Sequence, residues 1–343
     1  MTAQPLLDVR DLTVEFTTRR GIVKAVQHVD IAVAKGETLG IVGESGSGKS
    51  VTSYAVMRIL DRAGRIAEGS VMFSGIDVKA ASEAEMRDLR GREISMIFQN
   101  PRAALNPIRK VGDQIEDVLR QHVQQAQVAD RGEKAIEALE QVKIARPRER
   151  YHAYPFELSG GMCQRVVIAL ALACNPRLLI ADEPTTALDV IVQDQIFQAL
   201  RTLQLKLGFS LVLVTHDLAL VIENCERVAV MYAGMIVETG PTRAVVRAPA
   251  HPYTLGLKNA LAHVGQREEP IAIPGSPPDL TDPPKGCRFA PRCPFALPIC
   301  ASDPPPFVDV APDRQSRCHR ANEMSALMPL AALPATWERP AQG

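Results

Sequence analysis

The sequence predicts an α/β fold with a parallel sheet, a helical insertion between strands and an irregular C-terminal region. Short apolar runs recur along the chain and are separated by segments with helical patterning. One of these runs leads into a glycine-rich loop that opens a helix, and prolines crowd the sequence after about residue 247. Alternation of buried strands and helices is typical of parallel α/β sheets. The 343 residues are 46% hydrophobic, which is enough for a well-buried core and roughly two domains.

The N-terminal part of the chain carries strand patterns. Residues 6–16 alternate apolar and polar side chains and are rich in β-formers, which predicts one or two strands. A further strand is predicted at 29–33, and residues 38–42 form a short apolar run typical of buried strands. A helix is predicted from Lys49 to about residue 60, so the glycine-rich loop lies between a strand and a helix.

The middle of the chain, residues 82–158, is predicted to be mostly helical with prolines as breaks, as an inserted subdomain. Ser159 is a good N-cap for a helix that ends near residue 173. Buried strands are predicted at 178–181 and 211–215, with a helix at 190–207 between them. The return of strands after the helical stretch completes the α/β pattern.

The overall charge argues against nucleic acid as a partner. Lys and Arg together number 39, as do Asp and Glu, so the basic surplus expected of a nucleic-acid-binding protein is missing. The sequence has no apolar run of the roughly 18 to 20 residues that would span a bilayer, and no secretory signal pattern at its N-terminus. We therefore expect a cytosolic protein, which can still sit on a membrane through partner proteins.

A phosphate-binding loop is predicted at residues 43–50, where the sequence fits the pattern G-x-x-x-x-G-K-[ST] between a strand and a helix. The glycines let backbone N–H groups wrap a β-phosphate, and the helix N-terminus adds partial positive charge. Lys49 would reach the β- and γ-phosphates of ATP, and the Ser50 hydroxyl would ligate Mg²⁺. The strand and helix context disfavours the alternative of a glycine-rich turn with a chance lysine. The nucleotide-binding residues predicted here are Gly43, Ser45, Gly46, Ser47, Gly48, Lys49, Ser50 and Val51.

A second acidic element follows downstream, where the apolar run 178–181 ends in Asp182 and Glu183. Asp182 would hold Mg²⁺ directly or through water, and Glu183 would polarise the attacking water as general base. An apolar run that ends in two acids can also be a strand end with solvated carboxylates. The position of this run downstream of a phosphate loop favours the magnesium interpretation.

The run Leu-Ser-Gly-Gly-Met at residues 158–162 resembles the signature motif of ATP-binding cassette (ABC) ATPases, which most other phosphate-loop families lack. It opens a predicted helix, whose N-terminus and glycines suit close approach of a phosphate. The resemblance implies that Ser159, Gly160 and Gly161 contact the γ-phosphate bound to an opposite subunit. A dimer with two ATP molecules at its interface is thereby implied. Met162 departs from the commonest residue, glutamine, and Cys163 is also unusual.

Other elements of that family are present in order. Gln99, after the apolar residues 94–98, resembles the glutamine that senses Mg²⁺ and the attacking water. His216 resembles the switch histidine that contacts the γ-phosphate, although a lone histidine is more often structural. Phe16 sits where the family places a ring against adenine, although such an aromatic is often only core. The resemblance implies catalysis by Glu183, His216 and Gln99, with Mg²⁺ held by Ser50, Gln99 and Asp182.

Two further segments resemble the dipeptide and oligopeptide importer branch of this family. They are residues 99–107 and the Ala-His-Pro-Tyr-Thr-Leu run at 250–255, which begins a C-terminal extension in that branch. The fold implied is a parallel-sheet core with an antiparallel β subdomain, a helical subdomain and a small irregular extension. The predicted limits are an ATPase domain over 5–250 with the helical subdomain at about 85–165, the extension over 251–322 and a loose tail over 323–343.

Four cysteines in the extension form a candidate metal site: Cys287, Cys293, Cys300 and Cys318. In a reducing cytosol such a group of cysteines indicates a metal or cluster site rather than a set of disulfides. Its gaps are wider than the Cys-x2–4-Cys pairs of zinc ribbons, and four thiolates also suit a [4Fe–4S] cluster, which the family resemblance implies. A zinc site and a group of cysteines that binds no metal remain as alternatives. The predicted role is structural, because the segment is poor in apolar residues, and the other cysteines (163, 174 and 225) are expected to be small buried side chains.

The predicted function is that of an ATP-hydrolysing motor of a bacterial importer for dipeptides or oligopeptides. The resemblance implies two membrane permeases, a second related ABC ATPase in a heterodimer and an extracytoplasmic substrate-binding protein as partners. It implies a peripheral position at the cytoplasmic face of the membrane. Alternatives are import of glutathione, nickel complexes or opines, a non-transport cassette ATPase of DNA repair or translation, and a catalytically silent regulatory subunit. The intact Lys49, Asp182, Glu183 and His216 disfavour the last.

Overall fold

The computed structural model describes residues 4–122, 130–186, 188–261 and 270–338. The chain forms two compact units, and each unit is built from three separate segments of the sequence. The first comprises Met1–Leu6, Val33–Thr38 and Ser74–Val214, and the second comprises Leu7–Ala32, Leu39–Phe73 and Thr215–Gly343. The domain limits predicted at residues 250 and 322 remain a prediction.

The strands agree with most of the sequence-based expectations. The predicted strand at 38–42 is confirmed, those at 178–181 and 211–215 each gain one residue, and 29–33 is the end of a longer strand. In chain order the described strands are β1 (Leu7–Thr18), β2 (Gly21–Val33), β3 (Thr38–Val42), β4 (Gly64–Phe73), β5 (Ile76–Asp77), β6 (Ile94–Ile97), β7 (Leu178–Asp182), β8 (Ser210–Thr215), β9 (Arg227–Tyr232), β10 (Met235–Pro241), β11 (Val308–Ala311) and β12 (Arg314–Ser316).

The helices follow the predicted order, and the predicted helix at 190–207 is confirmed at both ends. In chain order the described helices are α1 (Lys49–Met57), α2 (Glu83–Leu89), α3 (Pro101–Ala104), α4 (Val111–His122), α5 (Arg131–Gln141), α6 (Pro147–Tyr151), α7 (Gly160–Leu172), α8 (Val190–Leu207), α9 (Leu218–Asn224), α10 (Thr242–Arg247), α11 (Pro252–Asn259), α12 (Ile299–Ser302), α13 (Met324–Ala331) and α14 (Pro334–Trp337).

The first unit contains parallel strands with a helical insertion. Strand β7 runs parallel to both β6 and β8, with Ile94 opposite Leu178 and Leu178 opposite Ser210. All residues of these strands within the unit are buried, as expected for short apolar strands covered on both faces. Helices α3 to α7 lie between β6 and β7 in the chain, which confirms the predicted helical insertion.

The second unit is built largely from antiparallel pairs. β1 pairs with β4, with Leu7 opposite Phe73, and β9 pairs with β10. β3 runs parallel to β9, and the C-terminal strand β12 pairs with both β10 and β11. The antiparallel β subdomain that the family resemblance implied is therefore present.

The beginning of the C-terminal extension is anchored on a buried carboxylate. Glu238 of β10 is fully buried and accepts hydrogen bonds from the backbone N–H of Ala250 (2.9 Å) and of His251 (3.1 Å), and from Arg314 (2.9 Å). The His251 ring in turn accepts a hydrogen bond from the backbone N–H of Tyr253 at 3.0 Å and caps α11. Burial lowers the pKa of His251 to about 3, so its ring is neutral and can accept.

The prediction of a loose tail over 323–343 is wrong for residues 323–338, which form α13 and α14; residues 339–343 lie outside the described residues. Met324, Leu327, Ala331 and Trp337 are buried. The first three follow the spacing of one helix face, which buries apolar surface. The carbonyl of Ala331 also accepts hydrogen bonds from the Asn259 amide and the Trp337 indole, both at 2.8 Å.

Candidate functional site

The phosphate loop lies in the second unit between β3 and α1. The Lys49 ammonium group is buried and donates hydrogen bonds to the carbonyls of Gly43 (2.8 Å) and Glu44 (2.9 Å). These bonds draw the side chain back across its own loop. The predicted loop residues therefore share one short turn, with Ser45 and Gly46 exposed and Ser50 in the first turn of α1.

Two glycines of the loop are required by close packing. A Cβ at residue 43 would lie 2.0 Å from the carbonyl oxygen of Met231, which leaves no room for any side chain. Gly48 adopts a φ of 100° as the N-cap of α1, and a Cβ there would lie 2.7 Å from the carbonyl oxygen of Ala25. The loop is therefore pressed against neighbouring backbone, and its shape depends on those contacts.

The predicted carboxylates lie in the first unit at the end of β7. Asp182 is buried, and Glu183 follows it with a φ of 47°, in the left-handed region that non-glycine residues rarely adopt. The Glu183 backbone N–H donates to the carbonyl of Val214 at 2.8 Å, which helps to hold this conformation. Such backbone strain clusters at functional sites.

The structure brings Gln99 and Glu183 together, although they are 84 residues apart in sequence. The Gln99 amide donates to Glu183 Oε2 at 2.8 Å, and the Thr186 hydroxyl donates to the same oxygen at 3.0 Å. The cause is topological, because Gln99 and Glu183 follow adjacent parallel strands that end at one edge of the sheet. Thr186 was not predicted as a functional residue from the sequence. The one sequence feature that could have indicated it is its position three residues after Glu183.

The signature residues form the N-terminus of α7 in the first unit. Ser159 is exposed and caps the helix, accepting a hydrogen bond from the backbone N–H of Met162 at 3.3 Å. A Cβ at residue 161 would lie 2.9 Å from Val192 Cγ1, so glycine permits close packing against α8. The unusual Cys163 is buried, and its thiol donates to the carbonyl of Pro155 at 3.4 Å.

The two remaining predicted nucleotide contacts lie in the second unit. His216 is exposed in the short connection between β8 and α9. Phe16 is half-buried and pairs with Gly64 across β1 and β4, and a Cβ at residue 64 would lie 2.7 Å from the Phe16 ring. The ring therefore covers Gly64, and its contact with adenine remains a prediction.

The fold brings the four cysteines of the extension together in the second unit. Burial raises the pKa of Cys293, and the neighbouring Cys318, Cys287 and Cys300 raise it further. Burial raises the pKa of Cys318 to about 12, although the backbone N–H of Arg320 donates to its sulfur at 3.3 Å. The four sulfurs are therefore near enough to influence one another electrostatically, with Cys293 and Cys300 buried and Cys287 and Cys318 half-buried.

The other three cysteines are not members of this group. Cys163 and Cys225 are buried, as predicted, whereas Cys174 is only half-buried. Burial raises the pKa of Cys174 to about 11. Among the described helices, none is long and apolar enough to cross a membrane.

Comparison with known proteins identifies the family. Residues 26–186 match the ABC transporter family, and residues 237–300 match the oligopeptide/dipeptide transporter C-terminal region. The dipeptide transport ATP-binding protein DppD of Escherichia coli K12 is 48% identical over 315 residues, which cover 92% of this chain and 96% of DppD. The oligopeptide transport ATP-binding protein OppD of Bacillus subtilis 168 is 50% identical over 309 residues, which cover 89% of this chain and 86% of OppD.

A solved structure supports the same assignment for the cassette. The dimeric post-hydrolysis state of the ATP-binding cassette MJ0796, bound to ADP and phosphate, matches with a TM-score of 0.62 and 28% identity. The match covers 69% of this chain and 99% of the MJ0796 chain. Because the sequence relatives cover nearly the whole chain, this protein belongs to the ABC transporter family, as an ATPase of the dipeptide and oligopeptide importer branch.

Proposed function

We propose that this chain drives import of dipeptides or oligopeptides by binding and hydrolysing ATP at the residues described above. The proposal of ATP hydrolysis is supported chiefly by the Gln99–Glu183 hydrogen bond, which lies next to the buried Asp182. The cargo is inferred from the relatives, which are named as dipeptide and oligopeptide transport proteins, and from the match of residues 237–300 to the oligopeptide/dipeptide transporter C-terminal region.

The proposed chemistry assigns one task to each group. Glu183 accepts a proton from the attacking water, and Gln99 and Thr186 orient its carboxylate by donating to one oxygen. Lys49 and the loop amides bind the phosphates, His216 contacts the γ-phosphate, and Phe16 stacks on adenine. Ser50, Gln99 and Asp182 would hold Mg²⁺, which supplies positive charge that stabilises the transferred phosphoryl group when bound.

The exposed cap at Ser159 suits a contact made across a dimer interface. A helix N-terminus with two glycines in its first turn offers backbone N–H groups to a phosphate. In the proposed assembly these groups complete the nucleotide site of a second, related ATPase chain. Two membrane permeases and an extracytoplasmic substrate-binding protein would complete the importer, with this chain on the cytoplasmic face.

The cargo assignment predicts that peptide uptake depends on Lys49. Cells in which Lys49→Ala replaces the wild-type chain should lose uptake of defined dipeptides and oligopeptides, because the loop no longer binds the phosphates productively. Labelled peptides, glutathione and nickel complexes are supplied in parallel to measure uptake. A matched control is Lys35→Ala, which changes an exposed lysine at the turn before β3. Unchanged peptide uptake together with loss of another cargo would contradict the peptide assignment.

We also propose that Cys287, Cys293, Cys300 and Cys318 hold a [4Fe–4S] cluster. Their surroundings fit such a group, because backbone N–H groups donate to Cys300 Sγ (3.4 Å) and Cys318 Sγ (3.3 Å). A cluster held by these four thiolates would bind their loops together.

The cluster proposal predicts that protein purified without oxygen is brown and contains about four iron and four acid-labile sulfide per chain. Cys293→Ser should abolish the colour and lower the unfolding temperature, because a buried ligand is lost. Cys174→Ser changes a cysteine outside the quartet and should keep the colour and the unfolding temperature of the wild type. Iron and sulfide analysis with absorption spectroscopy gives the measurement, and a colourless protein with one zinc per chain would contradict the cluster.

A further inference from the structure

The phosphate loop carries an acidic side chain whose position needs explanation. Glu44 lies directly after Gly43, and its backbone carbonyl accepts a hydrogen bond from Lys49. An unpaired carboxylate in a loop that binds phosphates would repel them through the Coulomb interaction. The side chain is about one quarter exposed, at 26%, so water screens it only in part.

Arg292 of the C-terminal extension neutralises this carboxylate. Its guanidinium donates from Nη1 to Glu44 Oε2 at 2.7 Å and from Nη2 to Glu44 Oε1 at 2.9 Å, a bidentate pair. The arginine side chain is only 6% exposed, and its remaining N–H groups donate to the carbonyl of Pro274 (2.8 Å) and the hydroxyl of Tyr232 (3.3 Å). The guanidinium is thus fixed on several sides and holds Glu44 in one orientation.

The same extension also holds the backbone of the loop. The Glu44 backbone N–H donates to the Tyr253 hydroxyl at 2.8 Å, and the Tyr253 side chain is fully buried. The Tyr253 ring packs against the rings of Tyr232 and Phe289, with centroids 4.6 and 5.4 Å away. Side chain and backbone of Glu44 are therefore both bound by residues beyond residue 230.

A second arginine reaches the loop indirectly. Arg288 donates to the carbonyl of Ala233, and the next residue, Gly234, donates its backbone N–H to the carbonyl of Ser47 at 2.8 Å. Arg288 follows Cys287 and Arg292 precedes Cys293, so both arginines lie on the loop that carries the first two cysteines of the quartet. That cysteine loop, residues 287–293, contacts the phosphate loop directly at Glu44 through Arg292. It supports Ser47 indirectly, through the bond of Arg288 to Ala233 and the bond of Gly234 to Ser47.

We propose that Arg292 and Tyr253 are positioning residues for nucleotide binding, which neutralise and fix Glu44 so that the phosphate loop can accept a triphosphate. The inference rests on the proposed nucleotide site at this loop. It assigns the C-terminal extension a direct role in ATP affinity. The hydrolysis step proposed at Glu183 is not altered. The contacts of Arg292 and Tyr253 with Glu44 therefore act on the affinity for nucleotide and on KM, and they leave kcat nearly constant.

The test measures the affinity of a fluorescent ATP analogue for the purified full-length chain by anisotropy. Arg292→Gln should weaken binding roughly tenfold, because it leaves a bare carboxylate beside the phosphates. The defect should shrink as salt is raised, since salt screens exposed charge. Glu44→Gln should stay within about threefold of wild type, and the double variant Glu44→Gln with Arg292→Gln should recover most of the lost affinity.

Controls separate the possible outcomes. Arg10→Gln breaks an exposed ion pair with Asp8 in the same unit and should leave affinity unchanged. If Arg292→Gln does not fold, Tyr253→Phe keeps the ring, removes the acceptor for the Glu44 N–H, and should weaken binding roughly threefold. Normal affinity in Arg292→Gln, or a double variant as weak as Arg292→Gln, would overturn the proposal. Lys49→Ala must abolish binding in the same assay; if it does not, the nucleotide site itself is wrong.

Discussion

Replacing Glu183 with glutamine should lower ATP hydrolysis by at least about 100-fold while ATP still binds, as expected when a general base is removed. The amide keeps the size of the carboxylate and its oxygen can still accept from Gln99 and Thr186, but it cannot take the proton of the attacking water. Phosphate release by the assembled transporter and nucleotide affinity of the purified chain are measured side by side.

The matched control for this variant is Glu140→Gln, which makes the same chemical change at an exposed residue of α5 and should leave both quantities unchanged. Glu183→Gly gives a second comparison, because glycine relieves the left-handed backbone at this position. Its stability should be unchanged or raised by up to about 1 kcal/mol, while hydrolysis is lost. Hydrolysis within about threefold of wild type in Glu183→Gln would remove Glu183 from the proposed mechanism.

Replacing Arg314 with methionine should destabilise the second unit by about 3 to 5 kcal/mol, because it leaves the fully buried Glu238 carboxylate without its charge partner. Urea denaturation followed by fluorescence of Trp337, the only tryptophan, gives the measurement. Adding Glu238→Gln to this variant should restore most of the stability, because a neutral amide still accepts from the Ala250 N–H. Arg65→Met, which breaks an exposed pair with Glu15, should cost less than about 1 kcal/mol.

The defect of Arg314→Met should also depend on pH. Burial already raises the pKa of Glu238, against the lowering effect of its hydrogen bonds, and loss of the arginine raises it further. A carboxyl group with a raised folded-state pKa contributes stability below its unfolded pKa of about 4.3 and loses it as pH rises through the folded value. The variant should therefore approach wild-type stability on acidification, and a defect that is constant with pH would exclude this cause.

The sequence by itself determined those parts of the protein that depend on neighbouring residues. The phosphate loop at 43–50, the Ser159 cap and the helix at 190–207 were predicted correctly, because loop, cap and helix patterns are local. Family resemblance supplied the branch, and it implies catalytic roles for Glu183, His216 and Gln99 that remain predictions. Strands β4, β9 and β10 were not predicted, although Arg227–Tyr232 is apolar and rich in β-formers.

Only the tertiary structure decided the contacts between distant residues. Glu44 and Arg292 are 248 residues apart, and Glu238 and Arg314 are 76 apart, so no local pattern pairs them. The tail helices likewise form because Met324, Leu327 and Ala331 find an apolar surface to cover. Side-chain pairing and burial depend on which surfaces the fold brings together, and this non-local information is what turns a recognisable phosphate loop into one held by its own C-terminal extension.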